Sequence, residues 1–418
     1  MTLALLLMCY GTAVFAVRGV SRGAKDSGDF ATLFAATRAW VHGANPYERE
    51  NVVHEWDAAG GEAKATPDWH ATPSVYPPTT FLVLCPWALL SWSTARILWL
   101  AVSVGSIILG LISLCRVSQS DSDLPRSLGF VGLSLSLYPL STGVSKGNPA
   151  VIATSFLILS VILALTRRQI VGGLLLAIAL ALKPQLAAPF FLYHAMERRW
   201  RLVFAAGLIF CAIAVIATIR TNSIASGWRA DWLAKVHTTT EPGGINDISE
   251  SNPYRFQAIN LAVLTEAVTR SPRLANVFNA VFSSLALLIL LLSDRFRNRA
   301  ESRWLFASAI AVFCLLPVYH RFYDASLLIF PLYWAFFHVP SGSRSAMTVV
   351  PVVLLILPFV LPGAVLLSNL VDTHRVATSV ATSYWWNAFV MPHQVWALVG
   401  LYACLVWRFA RSQQTVVP

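Results

Sequence analysis

Two carboxylates stand three positions apart at Asp26 and Asp29, ahead of Phe30 and a run of small and apolar residues that reaches Trp40. A carboxylate at the edge of an apolar run can take the proton from a hydroxyl as that hydroxyl attacks an electrophile. Both residues also suit the start of a helix over 30–40, where a side-chain oxygen satisfies free backbone N–H groups. On the residues alone, base and helix cap stand as alternatives for both Asp26 and Asp29. Gly43-Ala44-Asn45-Pro46-Tyr47 reads as a turn. Lys183 lies inside Ala181-Leu182-Lys183-Pro184-Gln185, in an otherwise apolar stretch. An ammonium at the bilayer centre costs about 2.5–3.5 kcal/mol on insertion scales, so such a lysine is a functional candidate by default. It either grips a phosphate or snorkels from a short helix end. His320-Arg321-Phe322-Tyr323-Asp324 packs four ionisable groups into five positions. The histidine and arginine could hold a phosphate with Asp324 orienting either of them, or Arg321 and Asp324 could form a simple local pair. Ser145-Lys146-Gly147-Asn148-Pro149 reads either as a connecting turn or as the polar wall of a cavity.

The elements that must position these residues follow from composition. The 418-residue chain is 56% hydrophobic and only 12% charged, with a mean hydropathy of +0.62. Ordinary soluble domains lie near 45–50% apolar and about 25% charged. This excludes a disordered chain, a coiled coil and a simple cytosolic enzyme, and continuous apolar runs exclude a membrane β-barrel. What remains is an all-α polytopic membrane protein. Apolar segments are read at 1–20, 94–114, 127–140, 149–165, 170–196, 202–219, 274–292, 304–318, 322–339, 346–367 and 394–406. The first is taken as a span, since no small-residue cleavage site follows it. Pro184 divides 170–196 into two short helices meeting at Lys183. The expectation is about 12 transmembrane helices with both termini inside.

Residues 76–92 open with Tyr76-Pro77-Pro78 and contain Pro86. A full crossing here would carry Arg167-Arg168 and Arg198-Arg199-Trp200-Arg201 to the outside, against the positive-inside bias. The segment is therefore placed as a membrane-dipping or interfacial element on the outer side. With that choice the inner loops and tails hold 14 Lys and Arg, among them Arg295, Arg297, Arg299, Arg344 and Arg411, against 5 Asp and Glu; the outer side holds 17 against 15. The outer loops are 21–75, which carries interfacial helices, 221–272 and 368–392. The middle one contains Asp231, His237, Glu241, Asp247 and Glu250. One membrane domain, 1–418, is expected, located in the cell (inner or plasma) membrane. The net charge of +11 fits topology rather than nucleic-acid binding, so no nucleic-acid partner is expected. Six cysteines lie in apolar segments without C-x-x-C spacing and read as buried hydrophobes, neither a zinc site nor a disulfide frame.

No phosphate-binding loop, dinucleotide fingerprint, H-E-x-x-H or G-x-S-x-G occurs. An enzyme working on the outer face without nucleotide needs an activated donor that reaches that face, and a lipid-linked phosphate does so. The chain resembles the GT-C class glycosyltransferases, most closely glycosyltransferase family 87, which includes polyprenol-phosphate-mannose-dependent α-mannosyltransferases of bacteria. The carriers are Asp29-Phe30, Gly43-Ala44-Asn45-Pro46-Tyr47, Tyr76-Pro77-Pro78, Lys146-Gly147-Asn148-Pro149, Ala181-Leu182-Lys183-Pro184 and His320-Arg321-Phe322-Tyr323-Asp324, in that order.

The resemblance implies a polyprenyl-phosphate-linked sugar donor, a lipid or glycan acceptor among the membrane lipids, and inverting transfer on the outer side. Asp29 would be the base, and Lys183, Arg321 and His320 would hold the donor phosphate. Asp26, Tyr47, Tyr76, Asn148 and Asp324 would support them. Neither a metal nor another cofactor is expected. Trp228, Trp232, Trp385 and Trp386 would form an interfacial belt or stack on sugar rings. Two other readings share the spans: a transporter or flippase of lipid-linked sugars, which would favour paired broken helices in two halves, and a lipid-linked-oligosaccharide ligase or polymerase.

Overall fold

The computed structural model describes residues 1–62, 74–118, 124–292, 300–339 and 343–411. Arg295, Arg297, Arg299 and the side chains of Arg344 and Arg411 lie outside what it describes. In chain order the helices are α1 (Thr2–Val14), α2 (Ser21–Gly23), α3 (Gly28–Val41), α4 (Arg49–Ala58), α5 (Pro78–Ala88), α6 (Trp92–Val117), α7 (Leu124–Ser136), α8 (Tyr138–Lys146), α9 (Ala150–Ala164), α10 (Gln169–Leu182) and α11 (Pro184–Met196). They continue with α12 (Trp200–Ile224), α13 (Trp228–Thr240), α14 (Leu261–Thr269), α15 (Pro272–Leu292), α16 (Ala300–Cys314), α17 (Ile329–Phe337), α18 (Ser343–Ile356), α19 (Ala364–Asp372), α20 (Thr378–Ala381) and α21 (His393–Arg411). The described residues contain no β-strand, only a single bridge between Ala258 and Arg321.

Four helical stretches are long and apolar enough to cross a bilayer: Thr2–Val41, α6, α12 and α15. Two more qualify if the bent pairs α7–α8 (54°) and Val349–Phe359 with α19 (47°) each form one span. Large apolar side chains stand exposed along α12 (Phe204, Leu208, Ile216, Ile219) and α15 (Val277, Val281, Leu285). Such surfaces suit lipid rather than water. The remaining apolar segments form shorter helices, so length and composition yield four to six candidate spans where the sequence reading counted twelve. Residues 76–92 hold α5, whose 11 residues rise only about 16 Å, too short to span roughly 30 Å of hydrocarbon.

The chain divides into two compact units, each assembled from distant segments. One comprises Ala13–Val117 with Ser141–Asp247, the other Met1–Thr12, Ser118–Leu140 and Ile248–Pro418. The core of the first is built on α3. The loop that contains it was read as carrying interfacial helices; in α3 Phe30, Leu33, Phe34 and Trp40 are all buried. The reason is that α4, α5 and α6 pack around it, and Trp56, Phe81, Trp92 and Trp99 converge on its sides. Phe30 stacks on Trp99 with centroids 4.6 Å apart and planes 3° from parallel. The α9–α10 hairpin packs against α11 and α12 in the same unit.

In the second unit α7 lies against the first residues of the chain, where a Cβ on Gly11 would meet the Gly132 carbonyl oxygen. Small residues permit this backbone approach. Helices α16, α17, α18 and α21 form the rest of its core, and Phe322–Leu328 is a 3₁₀ turn leading into α17. The long loops between the apolar segments have structure of their own. Helix α13 lies within 221–272 in the first unit, while α14 lies in the same loop and α20 within 368–392 in the second.

Candidate active site

Two motifs that are remote in the chain meet at the start of α3. Helix α8 ends on Gly147, which is left-handed (φ +65°). The Gly147 amide donates to the Val144 carbonyl, and the Asn148 amide reaches back to Gly143 at 2.8 Å. This pattern satisfies the last carbonyls of a helix and requires a residue tolerant of positive φ. It turns the chain so that Asn148 faces α3. There the Asn148 side chain is fixed at both ends. Its Oδ1 accepts from the Ala150 amide at 3.0 Å, and its Nδ2 donates to Asp29 Oδ2 at 2.7 Å. Beside it Lys146 pairs with Asp26 at 2.8 Å, and the Trp99 indole donates to the Gly147 carbonyl at 2.8 Å.

Asp29 is not the cap of α3. The cap position belongs to Ser27, whose hydroxyl donates backwards to the Gly23 carbonyl, and Asp26 Oδ1 takes the Gly28 amide at 3.2 Å. Asp29 therefore stands in the first turn, half-buried. Oδ2 is held by Asn148, and Oδ1 makes no hydrogen bond to the described residues. A Cβ added to Gly147 would come within 2.7 Å of Phe30 Cβ and 3.2 Å of Ser27 Cβ. Gly147→Ala is thus expected to destabilise the protein by about 1–3 kcal/mol, from left-handed strain and overpacking together. An unchanged melting temperature of the variant in detergent would rule out this close approach.

Lys183 marks the second feature of the same unit. A residue before proline is forced out of the helical region, and Lys183 has φ −146° and ψ +74° between α10 and α11. Pro184 removes one helical hydrogen bond and the break frees the carbonyls before it. The Ala181 carbonyl is taken by Thr80 Oγ1 at 2.7 Å and by Thr79 at 3.3 Å, both from the first turn of α5. The Lys183 side chain is buried, with Nζ 5.9 Å from the centroid of the Tyr76 ring. Residues 75–76 are strapped in place. Trp232 Nε1 donates to the Val75 carbonyl at 2.9 Å and the Tyr47 hydroxyl to the Tyr76 carbonyl at 3.0 Å. Burial pushes the Tyr47 phenol up, so it remains a donor. Its backbone amide is fixed by Asn45 Oδ1, and Asn45 Nδ2 donates to Asp231.

His320, Arg321 and Asp324 belong to the other unit. His320 is fully buried and its Nδ1 meets Asp324 Oδ2 at 3.0 Å, while Nε2 has no hydrogen-bond partner among the described residues. Arg321 Nη1 donates to Gln257 Oε1 at 3.4 Å. The segment is anchored to its neighbour through the Ile259 amide, which donates to the His320 carbonyl at 3.0 Å. In the same unit Arg255 and Glu266 form a buried ion pair of 2.9 Å.

Asp26, Asp29 and Asn148 thus form one contact group, Tyr47, Tyr76 and Lys183 a second in the same unit, and His320, Arg321 and Asp324 a third in the other unit. Trp228 is neither a belt residue nor a sugar platform. It is buried, stacked on Tyr47 at 6.4 Å, and its indole donates to Asn222. Trp385 is 69% exposed, as a belt residue would be. The sequence reading did not single out the Arg38–Glu55–His42 cluster, with contacts of 3.3 and 2.8 Å, or the Arg255–Glu266 pair. Nothing in the spacing of those residues marks them. Among the described residues no group of three or more His, Cys, Asp or Glu is placed to hold a metal ion.

An all-helical chain with several lipid-facing helices and buried ionisable groups at helix breaks has the makings of a membrane enzyme. The sequence profile of glycosyltransferase family 87 matches residues 75–318, more than half of the chain, and the chain belongs to that family. It is therefore a membrane glycosyltransferase by class rather than a transporter. The matched region contains Tyr76, Asn148 and Lys183; Asp26, Asp29, Tyr47, His320, Arg321 and Asp324 fall outside it. No curated protein and no solved structure is similar enough to count as a match.

Proposed function

We propose that the protein moves a sugar, mannose before others, from a polyprenyl-phosphate donor to a hydroxyl of a lipid-linked or glycan acceptor on the outer face of the cell membrane, with inversion at the anomeric carbon. The observation that carries this reading is the α9–α10 hairpin. Its helices of 15 and 14 residues are joined by a short turn at 165–168. Their free ends, Asn148 with Asp29 attached and Lys183, therefore lie level at one end, opposite Arg167-Arg168. The positive-inside bias then assigns Asp29 and Lys183 to the outer side. Helices of about 21–22 Å fall short of the roughly 30 Å hydrocarbon layer. The end bearing these two residues would accordingly sit below the headgroups, at the depth of a lipid-borne phosphate. We assign the chain about twelve membrane-embedded helical segments, counting these short ones, in one integral membrane domain.

In the proposed reaction the acceptor oxygen attacks the anomeric carbon as Asp29 Oδ1 takes its proton. The bond from that carbon to the phosphate oxygen breaks, and polyprenyl phosphate leaves with the electron pair. Lys183 stabilises the charge that develops on the leaving phosphate in a poorly hydrated site. Lys183→Ala is expected to raise the donor KM or lower kcat by about 10-fold or more, the size of a charge-assisted contact. Acceptor binding should be unaffected, and a defect confined to the acceptor would overturn the phosphate role. The reading as a whole is tested by assaying the purified protein in liposomes against a panel of polyprenyl-phosphate sugars. Turnover with at least one of them is expected, and turnover only with a nucleotide sugar would refute the donor class.

A further inference from the structure

Resting on the transferase reading above, we infer that Asn148 is the positioning residue of the Asp29 carboxylate, selecting Oδ1 as the oxygen that takes the acceptor proton. A free carboxylate on a helix can rotate and offer either oxygen. Here one of them is occupied. The Asn148 amide cannot turn over, because the Ala150 N–H holds its oxygen end at 3.0 Å. The NH₂ end is consequently committed to Asp29 Oδ2 at 2.7 Å. Asn148 is 1% exposed while Asp29 is half-buried, and Oδ1 makes no hydrogen bond to the described residues.

The supporting contacts fix this arrangement rather than merely permitting it. Gly147 brings the turn against Phe30, and Trp99 holds the Gly147 carbonyl while stacking on Phe30. Asn148 touches neither donor nor acceptor in this scheme. It acts through Asp29 by setting the rotamer, which leaves Oδ1 as the oxygen without a protein partner among the described residues.

The discriminating variant is Asn148→Asp. Its Oδ1 still accepts the Ala150 amide, so the turn and the start of α9 are preserved. The donor to Asp29 is replaced by a second carboxylate within hydrogen-bond distance. Two such carboxylates share one proton, and the pair gives it up only at higher pH. In the purified, liposome-reconstituted protein, the acid limb of the kcat/KM profile should move up by at least one pH unit. Activity should recover towards the wild-type value on the alkaline side. Asn148→Ser serves as the second variant. Its hydroxyl can still accept from Ala150 but is too short to reach Asp29, and its kcat should fall while the KM values for donor and acceptor stay near wild type.

A loss of the same factor at every pH in Asn148→Asp, or in Asn148→Ser a fall in kcat that accompanies a lowered melting transition, would mean that Asn148 is only structural, with the transferase reading intact. Absence of transfer by the wild-type protein at any pH would instead bring down that reading, and with it any role for Asn148 in serving a base.

Discussion

Asp29→Asn is expected to fold, insert into the membrane and lose transfer by about 10²–10⁴-fold, the contribution of a positioned base. The substitution is nearly isosteric. The new amide oxygen can still accept from Asn148, and Phe30 keeps its stack on Trp99. What disappears is the ability to take a proton. The neighbouring carboxylate supplies the contrast. Asp26 is exposed, paired with Lys146 and engaged with the Gly28 amide. Exposed pairs contribute about 0–1 kcal/mol, so Asp26→Asn should leave both turnover and stability near wild type. If the two variants behave the other way round, the base is Asp26. Circular dichroism and size exclusion of the detergent-solubilised variants separate lost chemistry from lost structure.

The second large effect is on stability. The Arg255 and Glu266 side chains are 6% and 4% exposed and meet at 2.9 Å, with the guanidinium over the Phe256 ring at 4.7 Å. Glu250 approaches the same arginine only at 3.8 Å and is itself exposed. Removing one partner of such a pair leaves a buried charge uncompensated, at a cost of about 3–5 kcal/mol, whereas replacing both by apolar residues is often neutral. Glu266→Ala should therefore lower the melting temperature strongly, and Arg255→Met combined with Glu266→Leu should restore most of it. Equal losses in the single and double variants would show that the pair is not isolated from water. The pair lies two residues from Gln257 and three from Ala258, which contact Arg321. Glu266→Ala should thus also disturb the His320–Asp324 segment.

Where local chemistry decides, the sequence was sufficient. Pro184 dictates the break at Lys183 because proline constrains its own residue and the one before it, and no tertiary contact is needed to know that. The prolines around Tyr76 and the balance of arginines likewise pointed to a segment that does not span, and α5 is too short to do so. What escaped was long-range. Asp29 and Asn148 are 119 residues apart, and both were noticed, yet nothing in either motif says that they bond. The Asp29 cap reading failed because Ser27 holds the cap position and Asp26, the other carboxylate considered for that role, takes the Gly28 amide. The small and apolar residues after Phe30 looked like a surface helix, and only the arrival of α4, α5 and α6 on its other faces buries them. Trp228 was misread for a similar reason. Its surroundings are supplied by Tyr47 and Asn222, which hydropathy does not reveal.

The account stands or falls on a single displacement in which one carboxylate deprotonates the acceptor. The most direct test is the anomeric configuration of the product, read by NMR after transfer by the purified wild-type protein from a polyprenyl-phosphate sugar of defined linkage. Inversion relative to the donor is the predicted result. Retention of configuration would require a covalent or front-face route that a lone Asp29 base does not provide, and would contradict the mechanism.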